Sequence, residues 1–110
     1  MEIEFSSNRL KKQLTVPLEI KKSYGNMAHK VNQRMQEMKN SPTLAIFQTL
    51  PGPRCHPLKG DMSGEWAVEV SGNYRLLFVI DQNPIPKTKN NSIDTNLITK
   101  IKILSVEDYH

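Results

Sequence analysis

The 110-residue sequence predicts a small α+β domain, with an N-terminal strand and two helices packed on a mostly antiparallel sheet of four to five strands. Three observations carry this. "EIEF" at 2–5 alternates Ile3 and Phe5 with Glu2 and Glu4, the period of a half-buried strand. Ile20, Tyr24, Met27, Val31, Met35 and Met38 recur at steps of three and four, which draws one apolar stripe along a helix. "EWAVEV" at 65–70 and "YRLLFVI" at 74–80 then return to strand character on either side of "SGN".

Taken in order, the first strand ends where Ser6 or Ser7 caps a short helix reaching about Leu14, and "TVP" breaks it. Pro17 suits the first turn of a second helix, where its missing N–H is not needed. The unbroken stripe predicts that this helix runs to about Lys39 through Gly25. Lys21, Lys22, Lys30, Arg34 and Lys39 fall mostly off the stripe and are expected to face solvent or a partner. Ser41 as cap with Pro42 behind it predicts a helical turn near Leu44 to Phe47, and "LPGP" at 50–53 is a turn.

A short strand is expected from Arg54 to Leu58, followed by a turn at Lys59-Gly60-Asp61. In the next strand Trp66, Val68 and Val70 form an inner face and Glu65 and Glu69 a wet one. Gly72 and Asn73 are suited to positive φ in the hairpin turn. "YRLLFVI" is apolar on both faces except at Arg75, which predicts a central strand and makes Arg75 conspicuous; an ion pair with Glu65 or Glu69 is its structural explanation. Residues 81–99 are rich in Asn, Pro, Lys and Thr and read as a flexible insertion before a last strand at 100–107. No repeat appears, and the whole chain reads as one domain.

Composition narrows the function classes. No apolar run approaches the length of a bilayer span and no leader pattern is visible, so a soluble cytoplasmic protein without membrane partners is expected. A single cysteine, Cys55, excludes an internal disulfide framework and a cysteine-rich zinc site. Residues 1–60 carry ten Lys/Arg against four Asp/Glu, whereas 61–110 carry five against seven. A basic first half suits a polyanion such as nucleic acid, and equally a solvated helical face.

"PGPRCHPLKGDMSGEWAVEVSGNYRLLFVI" at 51–80, followed by "VEDYH" at 106–110, closely resembles the HigB-like killer proteins of the RelE/ParE toxin superfamily. The resemblance covers about a third of the chain in two blocks. It implies a RelE-like fold and a type II toxin that enters the ribosomal A site and cuts mRNA, without metal or cofactor. It also implies silencing by a cognate helix-turn-helix antitoxin, with operator DNA reached only through that complex. His56, Asp108, Tyr109 and His110 match the family's catalytic positions, Lys59 and Arg75 match its basic ones, and Arg54 would assist RNA binding. Met62 and Ser63 depart from the pattern, because that stretch is often basic in the family.

These residue types suit the implied reaction. Driving a ribose 2′-OH onto the adjacent phosphorus requires a base, an acid for the departing 5′-oxygen, and cations for the charge that accumulates. His56 and His110 can fill either proton role near neutral pH. Arg75 and Lys59 supply charge, Asp108 can act as base or orient a histidine, and Tyr109 can bond a phosphate or stack on a base. Two other readings use the same fold: a gyrase-directed toxin, and a catalytically idle antitoxin-binding module.

Overall fold

The computed structural model describes residues 1–108; the catalytic expectations for Tyr109 and His110 lie outside the described residues. Strand β1 (Glu2–Phe5) is followed by α1 (Asn8–Thr15), α2 (Pro17–Tyr24), a 3-10 turn at Gly25–Met27, and α3 (Ala28–Asn40). Then come α4 (Leu44–Gln48), β2 (His56–Pro57), a 3-10 turn at Gly60–Met62, β3 (Glu65–Glu69), β4 (Tyr74–Ile80), a 3-10 turn at Thr95–Leu97, and β5 (Lys100–Asp108). The architecture is the expected α+β one.

The five strands lie in the order β1-β5-β4-β3-β2. β1 runs parallel to β5, pairing Ile3 with Ile101 and Phe5 with Ile103, and the remaining pairs are antiparallel. β4 is central, as its two-sided apolarity predicts. Trp66, Val68, Leu76, Phe78, Ile101 and Ile103 point to one face, where Leu10, Leu14, Ile20, Val31, Met35, Met38, Leu44 and Phe47 of the helices close over them. Trp66 and Phe78 are register partners whose rings stack with centroids 6.1 Å apart.

The helical boundaries follow local chemistry. The Ser7 hydroxyl accepts from the Leu10 amide and caps α1, and Pro17 stands in the first turn of α2. The long second helix expected from the stripe is instead two helices. Gly25 adopts φ 54 and ψ −120, a conformation essentially closed to residues with a Cβ, and ends α2 with its amide still bonded to the Lys21 carbonyl. The stripe misled because the 3-10 turn keeps Tyr24 and Ala28 against the core on either side of the break.

Arg34 is a second correction: it is buried rather than solvent-facing. Its Nη1 bonds Glu37 Oε1 at 2.7 Å, and its Nε donates to the Glu69 carbonyl at 2.7 Å, so its charge and fork are both satisfied. The cap of α4 is Thr43, which accepts from the Ile46 amide, rather than Ser41; the Ser41 hydroxyl donates to the Glu37 carbonyl and closes α3. Gly72 and Asn73 do not take positive φ, so the β3-β4 turn does not use the freedom expected of it. The Arg54–Leu58 strand shortens to His56–Pro57.

Segment 81–99 bonds to itself and to the sheet. Lys87 and Ile93 form an isolated antiparallel bridge, and the Thr88 amide donates to the Ser92 carbonyl at 2.8 Å. Gln82 Oε1 accepts from the Thr99 and Lys100 amides, which ties the start of the segment to its end. No helix among the described residues is long and apolar enough to cross a membrane.

Candidate active site

The face of the sheet away from the helices carries His56, Arg75 and the carboxylates beside them. Paired residues in a ladder project to the same side. His56 pairs with Ala67, Ala67 with Leu77, and Leu77 with Ser105, which makes one row across four strands. Two residues along lies the row Glu69, Arg75, Glu107 on the same face. Strand spacing and rise put the Cα atoms of His56 and Arg75 about 12 Å apart, within the combined reach of an imidazole, a phosphodiester and a guanidinium.

Arg75 lies on the central strand between two carboxylates. Its Nε and Nη2 both bond Glu107 Oε1 at 3.4 Å, and Nη2 lies 3.8 Å from Met62 Sδ. Among the described residues its ion pair is with Glu107 across the β4-β5 ladder, rather than with Glu65 or Glu69. The Arg75 side chain remains 25% exposed, so a phosphate can still approach it.

Arg54 and His56 form a local unit. Arg54 sits at φ 47, unusual for a residue with a side chain, and its carbonyl lies 2.7 Å from His56 Nδ1. The cause is a miscount between strands. The Glu69 amide bonds the Pro53 carbonyl, and His56 pairs with Ala67, so three steps on one strand oppose two on the other. This is a β-bulge, whose extra residue commonly takes the left-handed conformation and re-aims a neighbouring side chain. Buried Cys55 points into the core, and exposed His56 returns to the open face. The Arg54 guanidinium is largely exposed, 3.6 Å from Glu69 Oε2. Lys59 is exposed ahead of the Gly60–Met62 turn, and Gly60 takes φ 69 as the sequence suggests.

Asp108 belongs to the other side. It pairs with Tyr74, in alternation with Leu76 and Val106, so it shares the helix-side face, at its exposed end. The Tyr74 phenol donates a hydrogen bond to the Asp108 carboxylate, and that negative charge beside it raises the Tyr74 pKa above its usual range. The structure thus brings Arg54, His56 and Arg75 to one face, with Lys59 on the adjoining loop, and sets Asp108 at the rim of the opposite one. Sequence reasoning missed Glu107 and Tyr74. The alternation of "SVED" places Glu107 opposite to Val106 and could have indicated the first. Among the described residues no group of three or more His, Cys, Asp or Glu is arranged to hold a metal ion.

No protein-family model matches the sequence, and no curated protein matches it either. Solved structures do match in fold. A YoeB/ParE toxin from Agrobacterium tumefaciens superposes over 100% of both chains with a TM-score of 0.59 at 14% identity. The YoeB-YefM complex from Staphylococcus aureus matches over 100% of this chain and 97% of that one, with a TM-score of 0.56 at 17% identity. A mutant of YafQ from E. coli matches over 97% of this chain and 91% of that one, with a TM-score of 0.53 at 16% identity. The chain therefore has the RelE-like fold of the YoeB and YafQ toxins.

Proposed function

We propose that this protein is a toxin of a type II toxin–antitoxin system, an endoribonuclease that cuts mRNA on the ribosome by acid/base chemistry without metal or cofactor. The observation that carries the reading is the shared open face of His56 and Arg75 on a fold common to toxins. His56 exchanges a proton with the substrate while Arg75 and Arg54 balance the charge that builds on phosphorus, with Lys59 as a further point charge. Tyr109 and His110 complete the set in this reading, with Asp108 at the rim of the opposite face just before them. His110 serves as the second proton carrier, Tyr109 as a phosphate or base contact, and Asp108 as an acceptor already held by Tyr74. The HigB-like subgroup is the one whose motif pattern supports this assignment.

The partners follow from the same reading. One structural neighbour is a heterotetrameric complex of the YoeB-YefM toxin-antitoxin pair, which supports a cognate antitoxin for this chain. Exposed Arg9, Lys11, Lys12, Lys21, Lys22 and Lys30 on the helical side suit contact with ribosomal RNA in the A site. The site of action is then the cytoplasm.

The test is expression without antitoxin, with mRNA cleavage mapped on purified ribosomes. Wild-type protein is expected to arrest growth and cut translated messages. His56→Ala, His110→Ala and a chain lacking Tyr109 and His110 are expected to lose cleavage while keeping their fold. Full toxicity in these variants would remove the catalytic assignment, and inhibition of gyrase supercoiling without mRNA cleavage would favour a gyrase-directed toxin.

A further inference from the structure

We propose that the left-handed backbone at Arg54 fixes His56 as its Nδ1–H tautomer, which makes Nε2 the atom that takes the 2′-hydroxyl proton. This deepens the endonuclease reading and rests on it for the identity of the proton; the tautomer itself is a property of the protein alone.

A backbone carbonyl can only accept a hydrogen bond. With the Arg54 carbonyl 2.7 Å from His56 Nδ1, that nitrogen carries the hydrogen, and the neutral ring keeps its lone pair on Nε2. A free imidazole favours the opposite tautomer, so the protein must hold this one. The bulge does so. The Pro53 carbonyl is pinned by the Glu69 amide at 2.7 Å, the Glu69 carbonyl is pinned in turn by Arg34, and the Leu58 amide bonds the Glu65 carbonyl at 2.9 Å. Between these anchors the chain must bury Cys55 and return His56 to the sheet, and the left-handed turn at Arg54 does both while bringing its carbonyl to the ring. Arg54 is thus a positioning residue through its main chain and a phosphate ligand through its side chain.

In the reaction, the Nε2 lone pair takes the 2′-hydroxyl proton, and the oxygen left behind forms a bond to phosphorus. The bond from phosphorus to the 5′-oxygen breaks with its electron pair, and that oxygen takes a proton from the second carrier. The products are a 2′,3′-cyclic phosphate and a 5′-hydroxyl. His56 leaves the step as imidazolium, with Nδ1–H still bonded to the carbonyl, and the Arg54 carbonyl dipole stabilises that charge.

The experiment is a long-range proton–nitrogen correlation spectrum of nitrogen-15-labelled protein, recorded at alkaline pH and assigned by the loss of signals in His56→Gln. The expected pattern is a protonated Nδ1 and an unprotonated Nε2; the reverse, or the averaged mixture of a free imidazole, overturns the proposal. Arg54→Asn and Arg54→Gly tolerate positive φ, so they are expected to keep the pattern while raising KM through loss of the guanidinium. Arg54→Pro, with φ locked near about −65°, is expected to lose the pattern and to lower kcat on the order of tenfold or more. Arg54→Val replaces it if the proline variant does not fold. A folded Pro or Val variant that keeps both pattern and kcat also overturns the proposal. Intact mRNA with the expected pattern removes the endonuclease reading and the proton assignment with it, whereas cleavage with the reverse pattern removes this inference alone.

Discussion

The guanidinium of Arg34 on α3 donates from Nε to the main-chain carbonyl of Glu69 on β3 at 2.7 Å, so a buried charge joins the helical layer to the strand beside the candidate site. Removing it strands the Glu69 carbonyl and leaves Glu37 without its cation. Arg34→Met is expected to cost roughly 2–4 kcal/mol, the range for breaking a buried charged hydrogen-bond set, read as a lower denaturant midpoint. A variant as stable as the wild type would show that the pair is dispensable.

Gly25→Ala distinguishes the broken helix from a continuous one. In a continuous helix alanine would stabilise by up to about 1 kcal/mol. At φ 54 and ψ −120 it is expected instead to destabilise by about 1 kcal/mol or more, although a Cβ there meets nothing within 4 Å. Thermal unfolding of the two proteins gives the sign.

Cys55 is expected to behave as a core residue. Burial pushes its pKa from 9.0 to about 12, because a thiolate there would lose its hydration. Alkylation of the native protein near pH 8 should therefore be at least about a hundredfold slower than that of the unfolded chain. The folded pKa lies above the unfolded one, so this group's contribution to stability is intact below about pH 9 and is lost as pH rises toward 12. Fast native labelling would contradict the burial.

Tyr74 gives a second pH test. Its pKa is raised above 10.0 chiefly by the charge of Asp108 and by the hydrogen bond between them. Asp108→Asn is expected to bring the phenol titration, followed by ultraviolet absorbance, back toward 10.0. The raised value means that the Tyr74 contribution to stability is present below pH 10.0 and falls away above it. An unchanged titration in the Asn variant would exclude the contact.

Glu107 sets the orientation of Arg75. Glu107→Gln keeps an acceptor without the charge and is expected to leave the fold stable, since a surface pair of this exposure contributes about 1 kcal/mol or less. If the chain is the endonuclease proposed above, Arg75→Lys, which keeps the charge without the fork, is expected to lower mRNA cleavage by about tenfold or more through weaker phosphate positioning. Equal cleavage by the Lys variant would reduce Arg75 to a point charge.

The strands were legible because burial marks them directly: "EIEF" and "EWAVEV" fall where their alternation places them, and "YRLLFVI", apolar on both faces, falls at the centre of the sheet. The capping of α4 was less so, since Ser41, Pro42 and Thr43 are three adjacent helix-start residues and only packing selects among them. Gly25 and Arg34 were misread for one reason: a stripe reports which side of a segment is buried, and says nothing of a break in the axis or of a guanidinium held by a main-chain carbonyl 35 positions away. The candidate site residues were proposed from the motif pattern alone, since no periodicity marks them. The bulge that aims His56 depends on a count between two strands, which neither strand's own sequence contains.

β5 lies between β1 and β4, pairing with the first strand of the chain and with the fourth. During synthesis β1 and the β2-β3-β4 meander can form only as separate pieces until residues 100–108 have emerged to fill the gap. Glu107, which orients Arg75, arrives in the same stretch. A nascent chain therefore completes its sheet and its charged row in one event, when that strand pairs with both of its neighbours.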